Sequence, residues 1–153
     1  MLHLDADDFY WLESDPPFLE KRAPAARVDL IRERIGGHDA WVLSGSICSW
    51  GDLLLNLFTH AIFLYLPPRQ RMERLRAREA ARYGARIEPG GDMHAQHQAF
   101  MEWASGYDLG KAPLRSLDLH ERWMADLHCP VIRLRSEAPA ARLAETVVAR
   151  IAA

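Results

Sequence analysis

The chain opens on Leu2-His3-Leu4-Asp5-Ala6-Asp7-Asp8-Phe9-Tyr10-Trp11, an apolar alternation that runs into three carboxylates and then a block of aromatics. Leu2 and Leu4, two residues apart, predict one side of a short strand. Asp has poor strand propensity and like charges repel, so the three acids mark where the strand ends. Two readings of them stand side by side. One is a solvated turn in which Asp5 or Asp8 caps backbone amides. The other is a site where a divalent metal, an arginine-rich lid or a substrate meets the acids.

Working outward, Glu13-Ser14-Asp15-Pro16-Pro17 reads as loop, because proline fixes extended backbone in its neighbour. Val28, Ile31 and Ile35 have helical spacing, and Gly36-Gly37 ends the helix. Trp41-Val42-Leu43 follows as a buried strand closed by Ser44-Gly45-Ser46. A segment from Trp50 to Phe58 leads to Ala61-Ile62-Phe63-Leu64-Tyr65-Leu66, whose unbroken apolar run predicts a strand buried on both faces. Pro67-Pro68 ends that strand and opens an arginine-rich helix from about Arg69 to Tyr83. Further helices are expected with His97, Phe100, Ala104 and Tyr107 on one face, and from about Arg115 to Leu127. Pro130 to Leu134 predicts a last strand, and Leu143, Val147 and Ile151 a C-terminal amphipathic helix. Strands alternating with helices imply an α/β domain with a mainly parallel sheet. The expectation is one domain over 1–153, with a helical lid region at about 69–128.

The totals bound the function classes. At 153 residues the chain is long enough for a real core. A net charge of −2 gives no electrostatic case for nucleic acid or membrane binding. Of 19 basic residues only Lys21 and Lys111 are lysine, and arginines gather between 69 and 86. Cys48 and Cys129 make neither a disulfide framework nor a metal spacing. With no signal peptide evident, they imply reduced thiols and a cytoplasmic setting.

Ligands of parallel α/β sheets sit beyond the carboxyl ends of the strands. Asp5, Asp7 and Asp8, then Ser44-Gly45-Ser46, then the arginines after Pro67-Pro68 would all fall there. Three polar clusters, each directly after a strand, favour a site over surface decoration.

With these residues in place the chain resembles the small P-loop kinases of the adenylate-, shikimate- and gluconate-kinase type, and within them the adenylate kinase-like, AAA-family ATPase and topology-modulation group. The resemblance runs from the second strand of that fold onward and implies a P-loop NTPase-like sheet flanked by helices. Leu4-Asp5-Ala6-Asp7-Asp8-Phe9 is similar to the second-strand D-x-D element, which implies Asp5 and Asp7 as catalytic acids holding Mg²⁺ through water, with Asp8 near the acceptor. Val42-Leu43-Ser44-Gly45-Ser46 looks like the third strand and its substrate-facing turn, so Ser44, Gly45 and Ser46 would line the acceptor pocket. Lys21 and Arg22 are candidates for an anionic acceptor. Arg74-Leu75-Arg76-Ala77-Arg78 resembles the entry to the lid, which implies Arg74 on adenine and Arg78 on phosphate, with Arg82 and Arg86 as helpers. Arg74 and Arg78 lie one helical turn apart, and Arg is the forked donor that phosphoryl transfer favours. The plain alternative is a solvated Arg-Glu helix, with Glu73 and Glu79 as partners.

The motif that defines the family, G-x-x-x-x-G-K-[ST], is absent from this sequence. The one Gly-Lys pair, Gly110-Lys111, has Ser105 at the first glycine position and Ala112 after the lysine. Backbone amides of that loop cradle phosphates at a helix N-terminus, and its lysine neutralises them. The missing strand, loop and helix amount to about 30 residues, one supersecondary unit. Its loss would leave the second-third and fourth-fifth strand pairs without the strand between them. The expectation is that Met1 is an internal methionine of a longer gene. The implied activity is ATP- and Mg²⁺-dependent transfer of a phosphoryl group to a nucleotide or small hydroxylated acceptor. A non-catalytic pseudo-kinase or binding module is the first alternative. The second is a haloacid-dehalogenase-like phosphatase using Asp5 and Asp7, with Ser44 after a later strand and Lys111 as its lysine. A metal site from His94, His97, His120 and His128 is weaker, since His94 and His97 are a possible i, i+3 pair but no third ligand is signalled near them.

Overall fold

The computed structural model describes residues 1–110 and 115–153. The chain forms two compact units, Met1–Asn56 and Leu57–Ala153.

The first unit contains β1 (Leu2–Asp5), α1 (Ala6–Tyr10), α2 (Pro24–Ile35) and β2 (Trp41–Ser44), followed by a 3₁₀ turn over Asp52–Leu57. β1 and β2 pair in parallel, with Leu2 opposite Trp41 and Asp5 opposite Ser44. The strand turns into α1 because the Asp5 side chain accepts a hydrogen bond from the Asp7 amide at 3.0 Å, one of the amides a helix start leaves unpaired. Pro24 opens α2 at a position where its missing N–H costs nothing. Gly36 ends the helix, its N–H reaching the Arg32 and Glu33 carbonyls. Val28 and Ile31 bury one face of α2 in a core with Leu4, Ala6, Phe9, Ile47, Cys48 and Leu54.

The second unit contains β3 (Ala61–Tyr65), α3 (Pro68–Tyr83), α4 (His94–Ser105), α5 (Leu117–Ala125), β4 (Val131–Arg135) and α6 (Ala140–Ile151). 3₁₀ turns over Gly84–Ile87 and Tyr107–Leu109 link the helices. β3 and β4 pair in parallel from Ala61 opposite Val131 to Tyr65 opposite Arg135. Met72 of α3 packs on Met101 and Ala104 of α4, with Leu75, Phe100 and Trp103 around them. Ser116 caps α5, its hydroxyl accepting from the Leu119 amide.

The α/β class holds, with parallel pairing, but the described strands form two two-stranded sheets and not one. That changes the burial expected of the strands. Val42 of β2 is 42% exposed, and Ile62 and Leu64 of β3 are 39% and 50% exposed. Among the described residues β3 pairs with β4 alone, and its burial alternates like that of a sheet with one covered face. A continuous apolar run hides that difference, because it is what both a one-face and a two-face strand can carry. Tyr107 lies in a 3₁₀ turn beyond α4 and not on its face, since Gly106 follows the helix end at Ser105. α6 forms as expected but buries none of its residues fully.

Candidate functional site

At the carboxyl end of β1 the fold joins three of the predicted residues. Asp5 is opposite Ser44, whose hydroxyl donates to the Leu4 carbonyl at 3.3 Å and lies 3.1 Å from Nε2 of His3. Gly45 has φ of +98°, and a Cβ there would come within 2.9 Å of the Ala6 Cβ and 3.6 Å of Asp5 Oδ1. Glycine is what lets the end of β2 lie against the start of α1. Ser46 follows directly in chain. Asp7 and Asp8 sit in the first turn of α1, where the amide dipoles favour acids, and Asp8 is exposed.

Asp5 thus serves the turn, as the plain reading of the cluster expected. Among the described residues no three His, Cys, Asp or Glu side chains gather to hold a metal. Magnesium asks less of the protein, one or two carboxylates with water and substrate phosphates supplying the rest, and Asp5 and Asp7 are carboxylates at this strand end.

Lys21 and Arg22 are brought to the same unit by a short antiparallel return. Trp11 and Lys21 form a bridge, Leu12 N–H donates to Glu20 O at 2.8 Å, and Arg22 N–H to Tyr10 O at 2.9 Å. The Lys21 ammonium lies 5.9 Å from the centre of the Tyr10 ring and 6.0 Å from that of Trp11. Arg22 Nε donates to Phe9 O at 3.2 Å. The residue that sequence reasoning missed is Arg27. It is buried, 5% exposed, with its guanidinium carbon 3.8 Å from the Tyr10 ring centre and 5.5 Å from that of Trp50.

In the second unit the lid arginines are not gathered on one point. Arg74 donates to the Ser136 carbonyl at 3.0 Å. Arg78 donates from Nε and Nη2 to Oε1 of Glu79, a carboxylate only 8% exposed. Arg82 lies 5.9 Å from the Tyr83 ring centre, and Arg86 holds Asp92, whose carboxyl is pulled below the ordinary range by those hydrogen bonds.

Sequence reasoning also missed a polar network next to β3. Arg71 pairs with Asp108, which also accepts from the Tyr65 hydroxyl at 3.0 Å. The hydrogen bond to that carboxylate, with burial, raises the Tyr65 pKa. Arg71 stacks at 4.8 Å over Tyr107, whose hydroxyl lies 2.7 Å from Nδ1 of His120. Burial, with the charge of Arg115, lowers the His120 pKa, which favours the neutral imidazole beside the Tyr107 hydroxyl. Tyr65 at a strand end and Arg71 just after Pro67-Pro68 were visible signals, but Asp108 is not local to either.

The described residues alone make no complete site for an ATP triphosphate: this sequence has no glycine-rich amide cradle with its lysine, and Arg78 is paired with Glu79. Lys111 lies outside the described residues, and with it the lysine of the phosphatase alternative.

No family model matches the chain, and no solved structure matches it. It is 43% identical over 135 residues to the uncharacterized protein YqaC of Bacillus subtilis (strain 168), a match spanning 88% of this chain and 74% of that protein. With that identity over most of both chains, this protein belongs to the same family as YqaC.

Proposed function

We propose that this chain carries the acceptor-binding and lid parts of a small-molecule phosphotransferase of the P-loop kinase kind. The observation that carries the reading is the strand pairing. β1 with β2 and β3 with β4 are both parallel, as the second-third and fourth-fifth pairs of a small kinase sheet would be. Each pair places chemistry at its carboxyl end, acids and Ser44-Gly45 in the first unit and arginines in the second. Asp5 and Asp7 would take part in water-mediated Mg²⁺ binding, with Asp8 beside a hydroxylated acceptor. Lys21, Arg22 and the turn Ser44-Gly45-Ser46 would position the acceptor. Arg74, Arg78 and Arg82 would neutralise phosphate charge, Arg78 after exchange from Glu79.

The pairing of Arg78 with Glu79 favours a second reading, a non-catalytic binding module that uses the same acidic turn without turnover. Label transfer from γ-labelled ATP to small molecules, by the native protein isolated from its own cells, separates the two. On the kinase reading Asp7→Asn lowers transfer by about 10²-fold or more. Arg78→Lys, which keeps a cation beside Glu79, also lowers it. Unchanged transfer in either variant removes that residue from the site.

A further inference from the structure

Arg27 is the least explained charge in the described structure. It is 95% buried in the first turn of α2, yet among the described residues no carboxylate pairs with it. Its Nε donates to the Arg22 carbonyl at 2.6 Å, which turns the side chain back over the start of the helix. Tyr10 and Trp50 supply aromatic faces at 3.8 Å and 5.5 Å. A buried guanidinium has five N–H donors and a full charge, and leaving it without a counter-charge is costly. Cation–π contact offsets only part of that cost.

Two further features point the same way. The indole Nε1 of Trp50 is buried and has no hydrogen-bond partner. The start of α2 has no side-chain cap and no acid in its first turn. A buried cation, a buried orphan N–H and the positive end of a helix are what an oxyanion satisfies together. The Lys21 ammonium, 5.9 Å from the centre of the same Tyr10 ring, adds a second positive charge nearby.

We propose that Arg27, with the Trp50 indole N–H, binds the carboxylate or phosphate group of a small organic anion whose apolar body rests against Tyr10 and Trp50. The inference rests on the first unit being the acceptor side, and it narrows the acceptor to an anion. Its test uses no ATP, so it can fail or hold without regard to phosphoryl transfer.

The test is a titration of ¹⁵N-labelled protein with sodium phosphate and with sodium benzoate at constant ionic strength, following the Arg27 Nε–H and Trp50 Nε1–H signals. A phosphate-type site shifts with phosphate, and a carboxylate site with an aromatic body shifts with benzoate. The expected result is a saturable shift of both signals with at least one of the two. Arg27→Gln should weaken that binding at least tenfold, read on the Trp50 signal. No saturable shift with either anion overturns the proposal, as does a shift that sodium chloride reproduces or one that Arg27→Gln leaves unchanged. If Arg27→Gln does not fold, the two signals of the unaltered protein decide alone.

Discussion

The guanidinium of Arg27 is packed 3.8 Å from the centre of the Tyr10 ring, so the end of α1 and the first turn of α2 are joined through a buried cation. Replacing a buried ion pair by apolar side chains of similar volume is often neutral or stabilising, and removing the Arg27 charge strands no partner carboxylate among the described residues. Arg27→Met is therefore expected to leave unfolding stability within about 1 kcal/mol of the natural protein or raise it. Denaturant unfolding measures this. A loss well beyond that range would assign Arg27 to holding the fold and not to a ligand.

The turn that carries the acids depends on Gly45. At φ of +98°, with Ala6 only 2.9 Å from any Cβ, an alanine is strained in both backbone and side chain. Gly45→Ala is expected to cost about 1–3 kcal/mol and to displace the Asp5 cap. Thermal unfolding with amide exchange at Asp7 reads both effects. Full stability together with a protected Asp7 amide would show that the turn tolerates the side chain.

His120 gives the second unit a pH dependence of known sign. Burial lowers its pKa, so the unfolded chain binds the proton more readily than the folded one. Its contribution is complete above the ordinary histidine pKa of about 6.5 and is lost as pH falls below it through the lowered folded value. His120→Gln should flatten the stability profile in that acidic window, measured by unfolding from neutral pH to about pH 5. A profile identical to that of the natural protein would mean another group titrates there.

How much of this was legible in the sequence follows from how local each cause is. Asp5 as the end of β1 was legible, because an acid after a strand caps amides two residues away. α2 and its glycine stop were equally local. The burial of Arg27 was not, since it depends on Tyr10 and Trp50, and Trp50 arrives from beyond β2. An arginine in a first helical turn reads as solvated until its neighbours are known. Asp108 was missed for the same reason, being joined to Tyr65 and Arg71 only in three dimensions. The apolar run of β3 predicted two buried faces, and only the alternating burial of the strand showed that the face of Ile62 and Leu64 is left exposed. Arg78 looked free for phosphate by its helical spacing from Arg74, but spacing says nothing of Glu79 turning inward beside it.

The most direct measurement is label transfer from γ-labelled ATP in the presence of Mg²⁺, by the native protein from its own cells, against an extract of that cell's small molecules. The account predicts that label moves into a small acceptor, and that the acceptor carries a hydroxyl group and an anionic group. Label remaining in ATP, or released only as inorganic phosphate, would contradict it and leave the acidic turn and its aromatic cage as a binding module.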